Sequence, residues 1–247
     1  MSNRDLLTRS IDGVQAAIQA LIWVSGTLIY KYWFQLDCQG LENLPRDRGY
    51  IIAANHTSHL DGPAIVAAQG QPHNHVYSLA AADYFFNHPS KGWICRNCFN
   101  MVPFKRRGKF LNCLPTCQDL IAHKKCILFF PEGTRSLTGE LQPLKLGLGR
   151  LVLSLNVLVV PAYIQGTYEA LPKGQYFPKR HPIQVSFGPP LDFTHYQAQP
   201  HELGQHHQIY RDIVNDVYRA IQHLSHLSPE LVTTYPAAPA EFIRRGI

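Results

Sequence analysis

After Pro45 the chain alternates short runs of β-branched, aromatic and aliphatic residues with longer segments of helical character. The runs at 50–55, 75–81, 101–104, 126–130, 157–165 and 183–187 read as strands. The segments 62–69, 110–123 and 145–155 between them read as helices, and Pro63 falls in the first turn of the first, where a missing N–H is tolerated. This alternation predicts an α/β domain with a mainly parallel or mixed central sheet flanked by helices. Near the C-terminus Ile209, Ile213, Val217, Ile221 and Leu224 recur at three- and four-residue steps, which predicts one more helix packed on the core by a single apolar stripe. Beyond Ser228 the Pro236-Ala237-Ala238-Pro239 stretch reads as a loosely held tail.

The N-terminal segment has a different pattern. No charge falls between Asp12 and Lys31, yet Gln15, Gln19, Ser25 and Thr27 interrupt the apolar residues, and a spanning helix needs about 20 mostly apolar positions. Trp23, Tyr30, Tyr32, Trp33 and Phe34, with Lys31 among them, have the character of an interfacial anchor. The expectation is a helix that lies on a membrane; an ordinary helix packed on the domain is the alternative. The divisions predicted are a membrane-associating helical segment over 1–36, one α/β domain over 37–228, and a tail over 229–247.

Composition narrows the partners only slightly. Lys and Arg number 23 against 17 Asp and Glu, a net charge of +6, which suits anionic lipid, phosphorylated metabolites or nucleic acid. The charge is spread along the chain and no base-reading module or RNA-binding aromatic signature is present, so no nucleic-acid partner is expected. Six cysteines and the lack of a small-residue cleavage site after the N-terminal apolar stretch point to the reducing cytoplasm, which with the N-terminal segment gives the expectation of a membrane-associated protein facing that side.

The chemistry-bearing residues sit at predicted strand ends, where α/β sheets place their ligands. Asn55-His56-Thr57-Ser58-His59-Leu60-Asp61 follows the first run. An imidazole with one nitrogen held by a carboxylate offers its other nitrogen as a base near neutral pH. Asp61-Gly62-Pro63 is also a good helix start, with Asp61 as N-cap, and Asp61 is expected to do both. His59 is taken as a structural neighbour. Phe130-Pro131-Glu132-Gly133-Thr134-Arg135-Ser136 follows a fully apolar run, and its arginine suits a phosphate through its planar fork of donors. Glu132 has two readings there, orienting Arg135 or holding an acceptor hydroxyl, and a polar turn with a surface ion pair is the plainer one. Lys105-Arg106-Arg107 follows the run 101–104 and is either a phosphate clamp or a solvated loop. Cys95 and Cys98, followed by Cys113 and Cys117, have spacings that a structural zinc site uses and that buried small apolar residues share.

Together these pieces resemble the glycerolipid acyltransferase family, whose best-known members are the lysophosphatidic acid acyltransferases. Its first block, N-H-x4-D, falls on Asn55, His56 and Asp61 after the lead-in Gly40-Leu41-Glu42-Asn43-Leu44-Pro45. The second, roughly G-x5-R, falls on 100–106, with Asn100 where the family usually has glycine; the third, F-P-E-G-T-R-S, is complete from Phe130 to Ser136; the fourth, a strand reaching V-P, is Val160-Pro161. The resemblance covers about 40–191. It implies His56 as general base, Asp61 as its partner, and Lys105, Arg106, Glu132, Gly133, Thr134 and Arg135 around the acceptor's glycerol phosphate.

The implied reaction moves a fatty acyl group from acyl-CoA or acyl carrier protein, as co-substrate and with no other cofactor or metal, to lysophosphatidic acid, forming phosphatidic acid in phospholipid biosynthesis. Backbone N–H groups have to hold the oxyanion, and the loop after Phe130 is the candidate. Two further readings share these residues: another lysophospholipid or lipid hydroxyl as acceptor, and a non-catalytic membrane-bound lipid-binding relative, against which the intact His56, Asp61 and Glu132 count.

Overall fold

The structure, a computed structural model, describes residues 3–71, 74–105, 110–196 and 206–226. Its strands are β1 (Asp37–Gln39), β2 (Tyr50–Ala54), β3 (Val76–Ala81), β4 (Met101–Phe104), β5 (Cys126–Phe129), β6 (Val159–Gln165) and β7 (Gln184–Phe187). Its helices are α1 (Asn3–Leu28), α2 (Asp61–Gln69), α3 (Ala82–Phe85), α4 (Pro89–Phe99), α5 (Leu114–Ala122), α6 (Gly147–Leu155), α7 (Thr167–Ala170) and α8 (His206–His226).

The strands form one sheet in the order β1-β7-β6-β2-β5-β3-β4. From β6 to β4 every pairing is parallel, whereas β7 runs antiparallel to β6 and parallel to β1, so the sheet is mixed. The central strands β2 and β5 are buried along their whole length, as strands covered on both faces must be. Alternate residues face opposite layers. Ile51, Ala53, Ile127 and Phe129 join one core with Leu148 and Leu151 of α6 and Ile213 and Val217 of α8, while Tyr50, Ile52, Ala54, Cys126 and Leu128 join the other with Ile65 of α2.

The α8 stripe of Ile209, Ile213, Val217, Ile221 and Leu224 is buried as its spacing requires. The segment expected to be one helix over 110–123 is a 3-10 turn, Phe110–Cys113, leading into α5. Three-residue β1 and helix α4 have no counterpart among the predicted elements, and the tail expected over 229–247 lies outside the described residues.

Helix α1 passes into a π-helical turn, Ile29–Trp33, and packs on α2 and α4. The aromatic group at its end divides. Tyr30 and Phe34 are 4% and 2% exposed, in the core beside α2, and the Tyr30 hydroxyl donates to the Leu60 carbonyl at 2.7 Å. These two rings therefore fasten the segment to the domain, whereas Tyr32 and Trp33 are exposed, with Ile18, Leu21, Val24 and Leu28 along α1. No helix among the described residues is long and apolar enough to cross a membrane.

Candidate active site

Strand register gathers the site. Ala53 of β2 pairs with both Phe129 of β5 and Pro161 of β6, and Ala81 of β3 pairs with Phe104 of β4. The loops after β2 and β5 therefore leave side by side at the carboxyl edge of the sheet. Asn55 extends this ladder with its side chain: its carboxamide donates to the Ile164 carbonyl at 2.9 Å and accepts from the Ile164 N–H at 2.7 Å. The asparagine thus fixes the exit of β2, and with it the next residue, His56.

His56 Nδ1 lies 2.8 Å from Oδ2 of Asp61, five residues on. The same oxygen accepts the N–H groups of Thr57 at 2.7 Å and Ser58 at 2.9 Å, and the Asp61 side chain is 0% exposed. With Nδ1–H donating to the carboxylate, Nε2 keeps its lone pair as the basic atom of the ring. Phe130 stacks on that ring, centroids 4.1 Å apart and planes inclined by 18°. Asp61 does not act as N-cap, contrary to expectation: Leu60 holds that place and Asp61 is the first helical residue, its carboxylate turned back to the loop amides.

The loop after β5 is tied to His56 from both sides. Glu132 is buried, and its Oε1 accepts the His56 N–H at 2.7 Å while its Oε2 accepts the side-chain amide of Gln142 at 2.8 Å. Burial pushes the Glu132 carboxyl up to about 7, opposed by these hydrogen bonds. The Ser136 N–H donates to the His56 carbonyl at 2.8 Å. Between them Gly133 has φ +75°, a backbone conformation that favours glycine, and a Cβ there would lie 2.8 Å from Nζ of Lys145, the far end of an exposed side chain that can move aside.

His56, Phe130, Gly133, Thr134 and Arg135 line a cavity of ≈ 330 Å³. His59 lines it as well, edged by Tyr84 and Phe85; burial first and then the charge of Arg135 push its imidazole down to about 4. Of the residues expected around a phosphate, Arg135, Thr134 and Gly133 face the cavity, and Glu132 directs its carboxylate into the loop scaffold. Lys105 follows β4 with an exposed side chain, its N–H 3.4 Å from Oδ1 of Asn112. Arg106 lies outside the described residues. Asn100, at the block position usually held by glycine, has φ +50° and ends α4 in the left-handed region, which asparagine tolerates better than most residues.

Lys173 also lines the cavity, with Nζ 3.4 Å from Oγ1 of Thr134. Sequence reasoning did not single it out. Its signal was available, since Leu171-Pro172-Lys173-Gly174 follows β6 and α7 much as the other basic groups follow their strands. A second cavity, of ≈ 220 Å³, adjoins the first through Gly62, Pro63, Ser78 and Met101 and is walled by Ile22, Trp23, Tyr30, Val66 and Phe99. It lies between α1, α2 and α4 and is overwhelmingly apolar.

The zinc reading finds no support in the geometry. No group of three or more His, Cys, Asp or Glu placed to hold a metal ion occurs among the described residues. Cys95 and Cys98 sit on α4, whereas Cys113 and Cys117 hydrogen-bond to one another and are buried in the core under α5.

A buried Asp61 holding the half-buried His56, beside a cavity that Arg135 and Lys173 also line, thus sits at the carboxyl edge of a mostly parallel sheet. The acyltransferase family model matches residues 35–165, more than half of the chain, and the chain belongs to that family. Among its relatives are the chloroplast 1-acyl-sn-glycerol-3-phosphate acyltransferases BAT2 of Brassica napus, 35% identical over 63% of this chain and 44% of that one, and LPAT1 of Arabidopsis thaliana, 31% identical over 63% and 42%. The chain spans less than half the length of these relatives. The crystal structure of the 1-acyl-sn-glycerophosphate acyltransferase PlsC from Thermotoga maritima has the same fold, with a TM-score of 0.65 at 24% identity over 91% of this chain and 87% of that one.

Proposed function

We propose that the protein transfers a fatty acyl group from the thioester of acyl-CoA or acyl carrier protein to the free hydroxyl of lysophosphatidic acid, yielding phosphatidic acid. The observation that carries this reading is the His56–Asp61 pair, 2.8 Å apart, on a cavity that Arg135 and Lys173 also line and that adjoins an apolar one. Nε2 of His56 takes the proton from the acceptor hydroxyl as its oxygen attacks the thioester carbon. Asp61 holds the tautomer and stabilises the imidazolium that forms. The tetrahedral oxyanion collapses, the C–S bond breaks, and the imidazolium returns its proton to the departing thiolate.

Arg135, Thr134 and Lys173 bind the acceptor's phosphate, and the cavity under α1 takes an acyl tail. Relatives bearing the name 1-acyl-sn-glycerol-3-phosphate acyltransferase support the choice of acceptor. The exposed apolar side of α1 from Ile18 to Leu28, with Tyr32 and Trp33, rests on the cytoplasmic membrane surface, from which the lipid acceptor enters. The test is acyl transfer from oleoyl-CoA to lysophosphatidic acid, lysophosphatidylcholine and monoacylglycerol, each in mixed micelles. Product from lysophosphatidic acid alone supports the reading; preference for either of the others overturns the phosphate-monoester acceptor.

A further inference from the structure

A third cavity opens at the same edge of the sheet, across the loop after β5 from His56. Lys145, Arg150 and His207 line it together with Phe129 and Tyr210, and its volume is ≈ 360 Å³. Its walls are the first turns of α6 and α8. These helices cross so closely that a Cβ on Gly149 would stand 2.5 Å from the Tyr210 carbonyl oxygen, so glycine there is what brings Arg150 beside His207 and Tyr210. Phe104 and Gly133 line both this cavity and the one holding His56, and the Lys145 side chain lies over Gly133 at the partition. None of the residues lining it is acidic, and neither Lys145 nor Arg150 joins an ion pair among the described residues.

We infer that this basic cavity seats the phosphorylated head of the thioester donor, the pantetheine phosphate that coenzyme A and acyl carrier proteins share. The inference rests on the proposed acyl transfer. In that reaction the acceptor's phosphate and one acyl tail are accounted for by the two cavities on the α2 side. The donor's thioester carbon must reach His56, while its long polar arm must leave by another route and end on a phosphate. A cavity that adjoins the reacting atoms through Gly133, and offers an ammonium, a guanidinium and an imidazole, meets that need. Its aromatic walls, Phe104, Phe129 and Tyr210, suit the weakly polar arm.

The experiment uses the full chain and the Lys145→Met/Arg150→Met variant, both exposed positions, with folding checked by circular dichroism. Coenzyme A binding is measured by calorimetry, and KM is measured separately for oleoyl-CoA, oleoyl-acyl carrier protein and lysophosphatidic acid. The expected result is that coenzyme A affinity falls and donor KM rises by roughly tenfold or more, with acceptor KM unchanged. A loss shared by both donors assigns the cavity to the pantetheine phosphate; a loss with coenzyme A alone assigns it to the nucleotide's phosphates, still as a donor site. Unchanged donor KM and coenzyme A affinity, or a rise in acceptor KM instead, overturns the inference. Should the native chain bind coenzyme A through these residues yet acylate nothing, the proposed acceptor fails and the donor cavity stands.

Discussion

The Glu132 carboxylate accepts the backbone N–H of His56 at 2.7 Å, joining the loop after β5 to the residue that leaves β2. Glu132 is buried and shares its other oxygen with Gln142, so under the proposed reaction its part is to hold the backbone of His56. Glu132→Gln keeps an oxygen for the His56 N–H, and Glu132→Ala leaves that donor unpaired. Activity is expected to rank native, then Gln, then Ala, with Ala reduced by at least roughly tenfold. Steady-state assays of the three proteins check the order; equal losses for Gln and Ala would assign the ionised carboxylate a direct part in catalysis.

Asp61→Asn is close in shape but carries no charge to stabilise the imidazolium that forms on His56. Its carbonyl oxygen can take the place of Oδ2, on which the Thr57 and Ser58 N–H groups and the ring nitrogen all converge, and its amide nitrogen the place of Oδ1, which accepts no hydrogen bond among the described residues. A fall in kcat of roughly a hundred-fold or more is expected, with acceptor KM little changed. A variant that loses KM and keeps kcat would contradict the role of Asp61 as partner of the base.

Two groups at the site make stability depend on pH with opposite signs. Glu132 titrates near about 7 in the folded protein, above its ordinary 4.5, so the native state holds a proton that the unfolded chain has lost, and stability falls as pH rises from about 4.5 to about 7. His59 titrates near about 4, below its ordinary 6.5, so the unfolded chain binds the extra proton and stability falls as pH drops from about 6.5 to about 4. In the native protein the two slopes oppose one another. Urea midpoints between pH 4.5 and 6.5 are expected to tilt toward loss at low pH in Glu132→Gln, and toward loss at high pH in His59→Asn.

Gly26 of α1 lines the apolar cavity, and a Cβ added there meets nothing within 4 Å. Gly26→Leu fills this space without straining the helix, in whose interior leucine is favoured over glycine by several tenths of a kcal/mol. The variant is expected to keep transfer from short acyl donors and to lose it from oleoyl and palmitoyl donors. Uniform rates across chain lengths would place the acyl tail elsewhere.

The candidate site was largely legible because strand ends combine a loud apolar run with the polar residues that follow it. His56, Asp61 and Arg135 converge as that pattern implies, and β4 matches its predicted bounds. What escaped was set by tertiary packing. Three-residue β1 is too short to carry alternation, and the rings of Tyr30 and Phe34 look like membrane anchors until α2 covers them. Glu132 carries the same charge whether it faces substrate or the His56 backbone, so its direction has no linear signature. Lys145 and Arg150 meet His207 only through the crossing of α6 and α8, and Lys173 reaches the His56 cavity only by the return of the chain after α7.

The central claim is that Nε2 of His56 is the base for acyl transfer, and the most direct measurement is single-turnover formation of phosphatidic acid from oleoyl-CoA and lysophosphatidic acid by native protein and His56→Ala. With the circular dichroism spectrum retained, the substitution is expected to lower the rate by about a hundred- to ten-thousand-fold while acceptor binding persists. A folded His56→Ala protein that forms phosphatidic acid at the native rate would contradict the account.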